Sequence, residues 1–164
     1  MNLPSTRRKL EELNIFHSEI PVMNKPTVIG YDKKFKWSWM ATQLNTFYVI
    51  SDFGSDTVTE EVLSHHLATS FELAKKNYTG WPRGLQSGLG VVSILISDSI
   101  TEEAKEYCRH LKSGKKWAGF AIPVAVDSNN GDAFNFWKNP MWGRIYFPYF
   151  KRMIQTLTEK TQSS

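Results

Sequence analysis

The sequence predicts an α/β fold, with α+β as the alternative, built on one mixed sheet of about five strands. The main evidence is a pattern that occurs twice, as Ser55–Val62 and as Ser97–Ala104. Each copy follows an apolar run and opens a helical pattern, so two strand–helix–strand units follow one another. Right-handed crossovers would make their three strands parallel. A hairpin pattern precedes these units, and a helical pattern follows them.

The first part of the chain, residues 1–26, is predicted to hold a helix and an extended connector. Ser5 or Thr6 can cap this helix, and its apolar stripe continues to about Phe16. Two prolines behind the helix interrupt regular structure. The connector is therefore expected to lead directly into the first strand of the hairpin.

Two strand patterns come next and predict the hairpin. Apolar and polar residues alternate from Val28 to Met40, which places Phe35 and the tryptophans on one face and Lys34 and Lys36 on the other. A bend at Asp32–Lys33 is the alternative and would split this strand. The second strand is predicted for Thr46–Asp52. Gln43–Asn45 is short enough to form the turn between the two strands.

The repeated segments predict how the next two helices begin. Thr57 with Glu60, and Ser99 with Glu102, have the spacing of a capping box. In this motif a hydroxyl and a carboxylate satisfy backbone amides that lack partners in the first helical turn. Apolar residues at helical spacing follow both boxes, so each helix should pack one face against the sheet.

The remaining strands are predicted from apolar runs. Val91–Ser97 and Trp117–Val126 have the pattern expected when both faces of a sheet are covered. Ala133–Trp137 predicts a further short strand. A proline suits the first turn of a terminal helix that starts near Phe147, and residues 158–164 should fray behind it.

Composition indicates one globular domain, 1–164, with 41% hydrophobic and 22% charged residues. Twenty basic and sixteen acidic residues give a formal charge of +4. The basic residues are scattered along the chain, which argues against a nucleic-acid partner. The single cysteine, Cys108, cannot form an intrachain disulfide, which favours the cytoplasm. Apolar runs are too short for a signal peptide or a membrane span, so no membrane partner is expected.

Aspartates follow the three strands that are predicted to be parallel. They are Asp52, Asp98 and Asp127. Sites in such sheets collect beyond the carboxyl ends of the strands, and clustered carboxylates can bind Mg²⁺. This cluster supports an alternative function, a metal-assisted hydrolase or transferase. Aspartate is also a common turn and cap residue, so the main expectation is no metal and no cofactor.

Other motifs give weaker indications of chemistry. His65 and His66 are adjacent, so they diverge by about 100° on a helix and do not form a zinc-binding pair. The glycine-rich segment 80–90 precedes a strand, whereas a phosphate-binding loop precedes a helix. Trp81 and Arg83 in this segment are candidate contacts to a ligand or partner, since they can stack on it and clamp it.

The segment 139–150 is rich in aromatic residues and indicates a contact surface. Trp142, Tyr146 and Tyr149 are predicted anchors, with Arg144 at the rim, because these residue types are enriched at interfaces. Pairing of two copies about a two-fold axis would bury such a surface. The sequence therefore predicts a non-catalytic cytoplasmic binding or assembly domain, with itself or another protein as its partner.

Overall fold

The chain forms a mixed sheet with helices packed against it. The computed structural model describes residues 1–80, 87–111, 119–136, 138 and 144–159. Its elements are α1 (Leu3–Glu12), β1 (Phe16–Glu19), β2 (Thr27–Lys36), β3 (Thr42–Gly54), α2 (Glu60–Asn77), β4 (Ser87–Ser97), α3 (Glu102–His110), β5 (Gly119–Asp127), β6 (Ala133–Phe134) and α4 (Phe147–Thr158). The α/β prediction is confirmed, with six strands described where about five were expected.

The strands lie in the sheet in the same order as in the chain, from β1 to β6. β1, β2 and β3 pair antiparallel, β3, β4 and β5 pair parallel, and β6 returns antiparallel to β5. The helices α2 and α3 connect the parallel strands, as the two predicted crossovers require. β1 lies in the segment that was predicted to be an extended connector, and its pairing with β2 was not predicted.

Alternating side chains on β3 show that both faces of the sheet are covered. Tyr48 and Ile50 are buried in a core that includes residues of α1 and α4. Phe47 and Val49 point the other way and are buried with residues of α2. This double burial explains why the central strands are nearly continuous apolar runs.

The first helix begins earlier than predicted. Asn2 is its N-cap, and the side-chain oxygen of Asn2 accepts a hydrogen bond of 2.9 Å from the amide of Ser5. Ser5 and Thr6 therefore lie inside the helix and are not its caps. The helix ends at Glu12, because the chain must then turn back to form β1.

The helices α2 and α3 are capped two residues after the predicted positions. Thr59 caps α2 by accepting a 3.2 Å hydrogen bond from the amide of Val62. Thr101 caps α3 by accepting a 3.2 Å hydrogen bond from the amide of Ala104. Each helix thus has the side-chain cap that its repeated segment supplies, although from the third threonine or serine position of the pattern and not the second.

The predicted caps, Thr57 and Ser99, instead face each other. Their hydroxyl oxygens are 3.0 Å apart. Between each of them and its helix, Val58 and Ile100 form an isolated parallel bridge, in which the amide of Val58 donates to the carbonyl of Ser99 at 2.8 Å. The prediction is wrong because the two repeats pair with each other before either becomes helical.

Candidate binding surface

The turn of the β2–β3 hairpin lies before the predicted position in the chain. The two strands pair until Lys36 lies opposite Thr42, and the chain reverses through a 3₁₀ turn at Trp37–Trp39. Gln43–Asn45, the predicted turn, is paired within β3. The strands are therefore longer than expected, and the reversal falls inside the predicted first strand.

Two residues after the 3₁₀ turn complete the reversal. Met40 and Ala41 each have a φ of 54°, in the left-handed region that favours glycine. The amide of Ala41 donates to the carbonyl of Trp37 at 3.4 Å. We call the segment Lys33–Met40 the hairpin tip.

The hairpin tip presents large apolar side chains to solvent. Trp37 is 80% exposed and Met40 is 83% exposed, whereas Phe35 is 42% exposed. The rings of Phe35 and Trp37 meet edge to face, with centroids 5.4 Å apart. The tip thus carries a connected apolar surface at the end of the hairpin.

Trp39 has the opposite environment and fixes the base of the hairpin tip. It is 4% exposed, and its ring lies 5.2 Å from that of Tyr146 and 5.5 Å from that of Tyr149. The prediction that Trp37 and Trp39 share a face is wrong, because a 3₁₀ turn has three residues per turn and separates residues i and i+2. Packing against α4 therefore holds the tip in place.

Three lysines surround the apolar surface of the tip, on both faces of the hairpin. Lys33 Nζ lies 3.4 Å from the carbonyl oxygen of Thr79, on the side covered by α2. Lys34 Nζ lies 3.8 Å from Asp32 Oδ2, and Lys36 Nζ lies 5.0 Å from the centre of the Trp39 ring, both on the side of α4. The sequence has no acidic residue from 33 to 51, so this end of the hairpin is positively charged.

The hairpin extends beyond its neighbour on one side. The last pair between β1 and β2 joins Phe16 and Gly30, and the amide of Tyr31 still donates to the carbonyl of Ile15. β2 continues to Lys36. At about 3.3 Å per residue, the part of β2 beyond Tyr31 spans roughly 16 Å.

The predicted aspartates lie at the carboxyl ends of the parallel strands, at the other end of the sheet from the hairpin tip. Asp52 pairs with Ile96, Asp127 pairs with Ser97, and Asp98 directly follows β4, so all three lie at the carboxyl ends of parallel strands. Their carboxylates serve local turns at two positions. Asp52 Oδ1 accepts from the amide two residues ahead at 2.9 Å, and Asp127 Oδ1 does so at 2.8 Å. Within the described parts of the chain, no three metal-ligating side chains are placed to hold an ion.

Tyr149 is not available as a contact residue, and its predicted role as an anchor is wrong. It is 3% exposed, and its hydroxyl donates a 2.6 Å hydrogen bond to Asp32 Oδ2. The hydroxyl of Tyr48 in turn donates to that of Tyr149 at 2.9 Å. Burial, followed by the nearby Asp32 carboxylate, raises the pKa of Tyr149 well above its ordinary value. This residue ties α4 to β2 and β3.

The other predicted contact residues have different outcomes. Tyr146 is half-buried, with its ring 5.1 Å from that of Phe120 as well as against Trp39. Arg144 is exposed, and the neighbouring Ile145 is 44% exposed. Trp81, Arg83 and Trp142 lie outside the described residues.

A buried histidine cluster, which the sequence analysis missed, lies between α2 and the sheet. His66 is 0% exposed; its Nε2 lies 2.7 Å from Ser51 Oγ and its Nδ1 lies 2.7 Å from Ser93 Oγ. Burial, with a smaller contribution from His65, lowers the pKa of His66 from 6.5 to about 4. The sequence signal for this cluster is a serine within each of two otherwise apolar strands, Ser51 in β3 and Ser93 in β4, with both side chains on the face that α2 covers.

Potential nucleophiles among these groups are closed to substrate. The serines beside His66 are completely buried. Cys108 is also buried, and burial raises its thiol pKa from 9.0 to about 12. Nucleophilic catalysis needs a reactive group that substrate can reach, and these groups do not meet that requirement.

Comparison with known proteins gives no relative: no family model, curated protein or solved structure matches this chain. In the part of the chain that the structure describes, no helix is both long and apolar enough to cross a membrane. Among the described residues, the two most exposed large apolar side chains, Met40 and Trp37, belong to the hairpin tip.

Proposed function

We propose that this protein is a non-catalytic binding domain that docks onto its partner through the hairpin tip. The observation that carries the proposal is the exposure of Trp37 and Met40 at 80% and 83%. Tryptophan and methionine are enriched at interfaces, and a tryptophan is often among the few residues that supply most of the binding energy.

The energy available at this surface is appreciable. Full burial of an exposed apolar side chain such as Met40 is worth about 1.5–3 kcal/mol, and Phe35, which is 42% exposed, can contribute only part of such a value. Trp37 adds a larger ring, which is 80% exposed and meets Phe35 edge to face. Ordering these exposed side chains on binding costs entropy, so only part of this energy is retained as affinity.

A non-catalytic role is favoured by how the reactive groups are used. The Ser–His contacts lie in the core, and two of the three candidate aspartates accept hydrogen bonds from their own turns. No observation on the described residues favours the second candidate, a metal-assisted hydrolase or transferase. A cytoplasmic location is also part of the proposal, and it rests on the presence of one cysteine.

Photocrosslinking in living cells tests the proposal. A photoreactive phenylalanine analogue replaces Trp37 in one variant and Leu13 in the control variant. Leu13 is 39% exposed and lies directly after α1. We expect adducts at position 37 well above those at position 13, and their mass will identify a second copy, another protein or a lipid. Equal yields at the two positions would refute docking through the tip.

A further inference from the structure

We propose that the partner of the hairpin tip is the surface of an anionic lipid bilayer. This inference rests on the proposed function and specifies the partner. It concerns docking onto a membrane surface, with the fold remaining outside the hydrocarbon core, and it differs from the expectation of no membrane partner, which was drawn from the short apolar runs of the sequence. The absence of a membrane-spanning helix among the described residues is compatible with this mode of binding.

The apolar end of the tip suits the interface of a bilayer. Trp37 and Met40 are at the outermost turn of a hairpin that projects past β1. Tryptophan favours the headgroup level, where its ring contacts apolar chains and its N–H reaches polar groups. Phe35 lies against Trp37 and would enter at the same depth or just above it.

The lysines give the tip its preference for anionic lipid. Lys33 lies on one face of the hairpin, and Lys34 and Lys36 lie on the other. A hairpin that approaches a planar surface end-on brings both faces to the headgroups together. The long side chains can then place their ammonium groups among lipid phosphates while their methylene stems cover apolar surface. Near an anionic membrane each lysine strengthens binding by roughly fivefold.

Nucleic acid fits the tip less well. Single-stranded binding needs aromatic platforms along a groove that follows the backbone, with basic residues beside them. Here Trp39 is buried, Met40 provides no ring for stacking, and Phe35 and Trp37 meet edge to face and do not form a row of parallel platforms. Lysines on opposite faces of the hairpin also do not line one groove.

Vesicle co-sedimentation with the full chain tests the inference. The probes are vesicles of phosphatidylcholine with 30% phosphatidylserine, vesicles of phosphatidylcholine alone, and a 20-nucleotide single-stranded DNA, each at about 0.05 M and 0.3 M salt. We expect binding to the anionic vesicles that weakens at the higher salt concentration, because the Debye length shortens. Binding to neutral vesicles should be at least about tenfold weaker.

Two variants test the residues of the tip. W37S/M40S should reduce the partition coefficient for anionic vesicles by about tenfold or more, because it removes the inserted apolar surface. K33Q/K34Q/K36Q should reduce it by roughly a hundredfold at low salt. Each variant is taken as folded if its far-UV circular dichroism spectrum and its melting curve match those of wild type.

Matched controls separate the tip from general effects. I20S removes an apolar side chain that is 41% exposed, and R8Q/K105Q/R152Q removes three positive charges from helices. Both controls should bind anionic vesicles within about threefold of wild type, since the tip is intact.

The outcomes distinguish this inference from the proposed function. Loss of vesicle binding in W37S/M40S and in the lysine variant, but not in the controls, supports membrane docking. Equal binding by W37S/M40S and wild type overturns it, as does binding to DNA without binding to vesicles. If vesicles are not bound while photocrosslinks at position 37 join the chain to a protein, the lipid assignment fails and the proposed function stands.

Discussion

Acidification should destabilise this fold through His66, well before most carboxylates become protonated. The imidazole is enclosed between α2 and the sheet, with Ser51 and Ser93 as its hydrogen-bonding partners. Thr27 extends the cluster, with its hydroxyl oxygen 2.6 Å from that of Ser51. Each of these hydroxyls is neutral, so the cluster offers no anion to compensate a protonated ring.

The direction of the effect follows from the two pKa values. In the unfolded chain His66 has its ordinary pKa of 6.5, whereas in the fold burial lowers the pKa to about 4. Between these values the unfolded chain binds a proton that the folded chain does not, so a falling pH favours unfolding. The stabilisation is fully present above pH 6.5, falls progressively as the pH is lowered from 6.5, and is lost once the pH has passed below about 4.

The size of the effect follows from the difference between the pKa of His66 in the folded chain and its pKa in the unfolded chain. One pKa unit corresponds to about 1.4 kcal/mol, so lowering the pKa from 6.5 to about 4 is worth about 3 kcal/mol. Most of this loss should occur between pH 6 and pH 4.5, before Asp and Glu side chains titrate fully. For a domain whose total stability is about 5–15 kcal/mol, the change is large enough to measure.

Urea denaturation followed by tryptophan fluorescence measures the change at pH 7, 6, 5 and 4.5. Wild type should lose unfolding free energy steadily over this range. H66Q should be less stable at pH 7, because it disturbs a packed polar cluster, but its stability should depend much less on pH. H65Q is the matched control, since His65 is exposed, and it should retain most of the wild-type slope.

Comparison between variants also isolates His66 from other titrating groups. Hydrogen bonds from Lys105 and Arg109 lower the pKa of Glu102, and a hydrogen bond from Arg109 lowers that of Glu106. Both carboxyl groups are present in wild type, H66Q and H65Q, so their contribution to the pH dependence of stability cancels when the three proteins are compared. The reasoning is refuted if H66Q and wild type show the same slope, or if wild-type stability is constant from pH 7 to pH 4.5.

Two further predictions concern the helix caps and self-association. T59A should lower the unfolding free energy by about 1 kcal/mol, because the amide at the start of α2 loses its partner. T57A should change the unfolding free energy by less than about half of that amount. If urea denaturation shows that T57A is the less stable of the two variants, the cap assignment is contradicted. Any dimer seen by sedimentation equilibrium at micromolar concentration should shift toward the monomer mass in W37S/M40S and be unaffected in I145S, and the reverse result would restore the terminal aromatic segment as the contact.

The elements that could be predicted are those whose buried residues recur along the sequence with the period of a helix or a strand. The parallel strands are apolar on both faces, and the helices that connect them carry one apolar stripe, so the crossovers were predicted correctly. β1 was missed because it is an edge strand of four residues in which half-buried and exposed side chains alternate. Such a strand exists because β2 offers it a partner, and the pairing leaves little trace in its own composition.

The helix caps and the hairpin turn were predicted less well, for related physical reasons. Thr57 and Thr59 have the same capping chemistry, and the pairing of two distant repeats decides between them. Alternation from Val28 to Met40 indicated a continuous strand, and the turn contains no glycine or proline to interrupt it. Met40 and Ala41 adopt left-handed conformations that their residue types do not favour.

The aspartates show the limit of topology as a guide to chemistry. Parallel pairing does bring Asp52, Asp98 and Asp127 to one edge, as the sequence predicted. Whether carboxylates at an edge form a site depends on where each side chain points. The side chains of Asp52 and Asp127 curl onto amides of their own turns, a local interaction that competes with convergence.

The contrast between Trp37 and Trp39 is the strongest reason to assign function to the hairpin tip. Trp39 packs against Tyr146 and Tyr149 and is needed to hold the hairpin on α4. Trp37, two residues earlier, is 80% exposed, and its described ring contact is with Phe35 on the tip itself. A polar residue at position 37 would form the same turn with less apolar surface in water. The fold therefore explains one tryptophan of the pair, and a partner that covers the tip would explain the other.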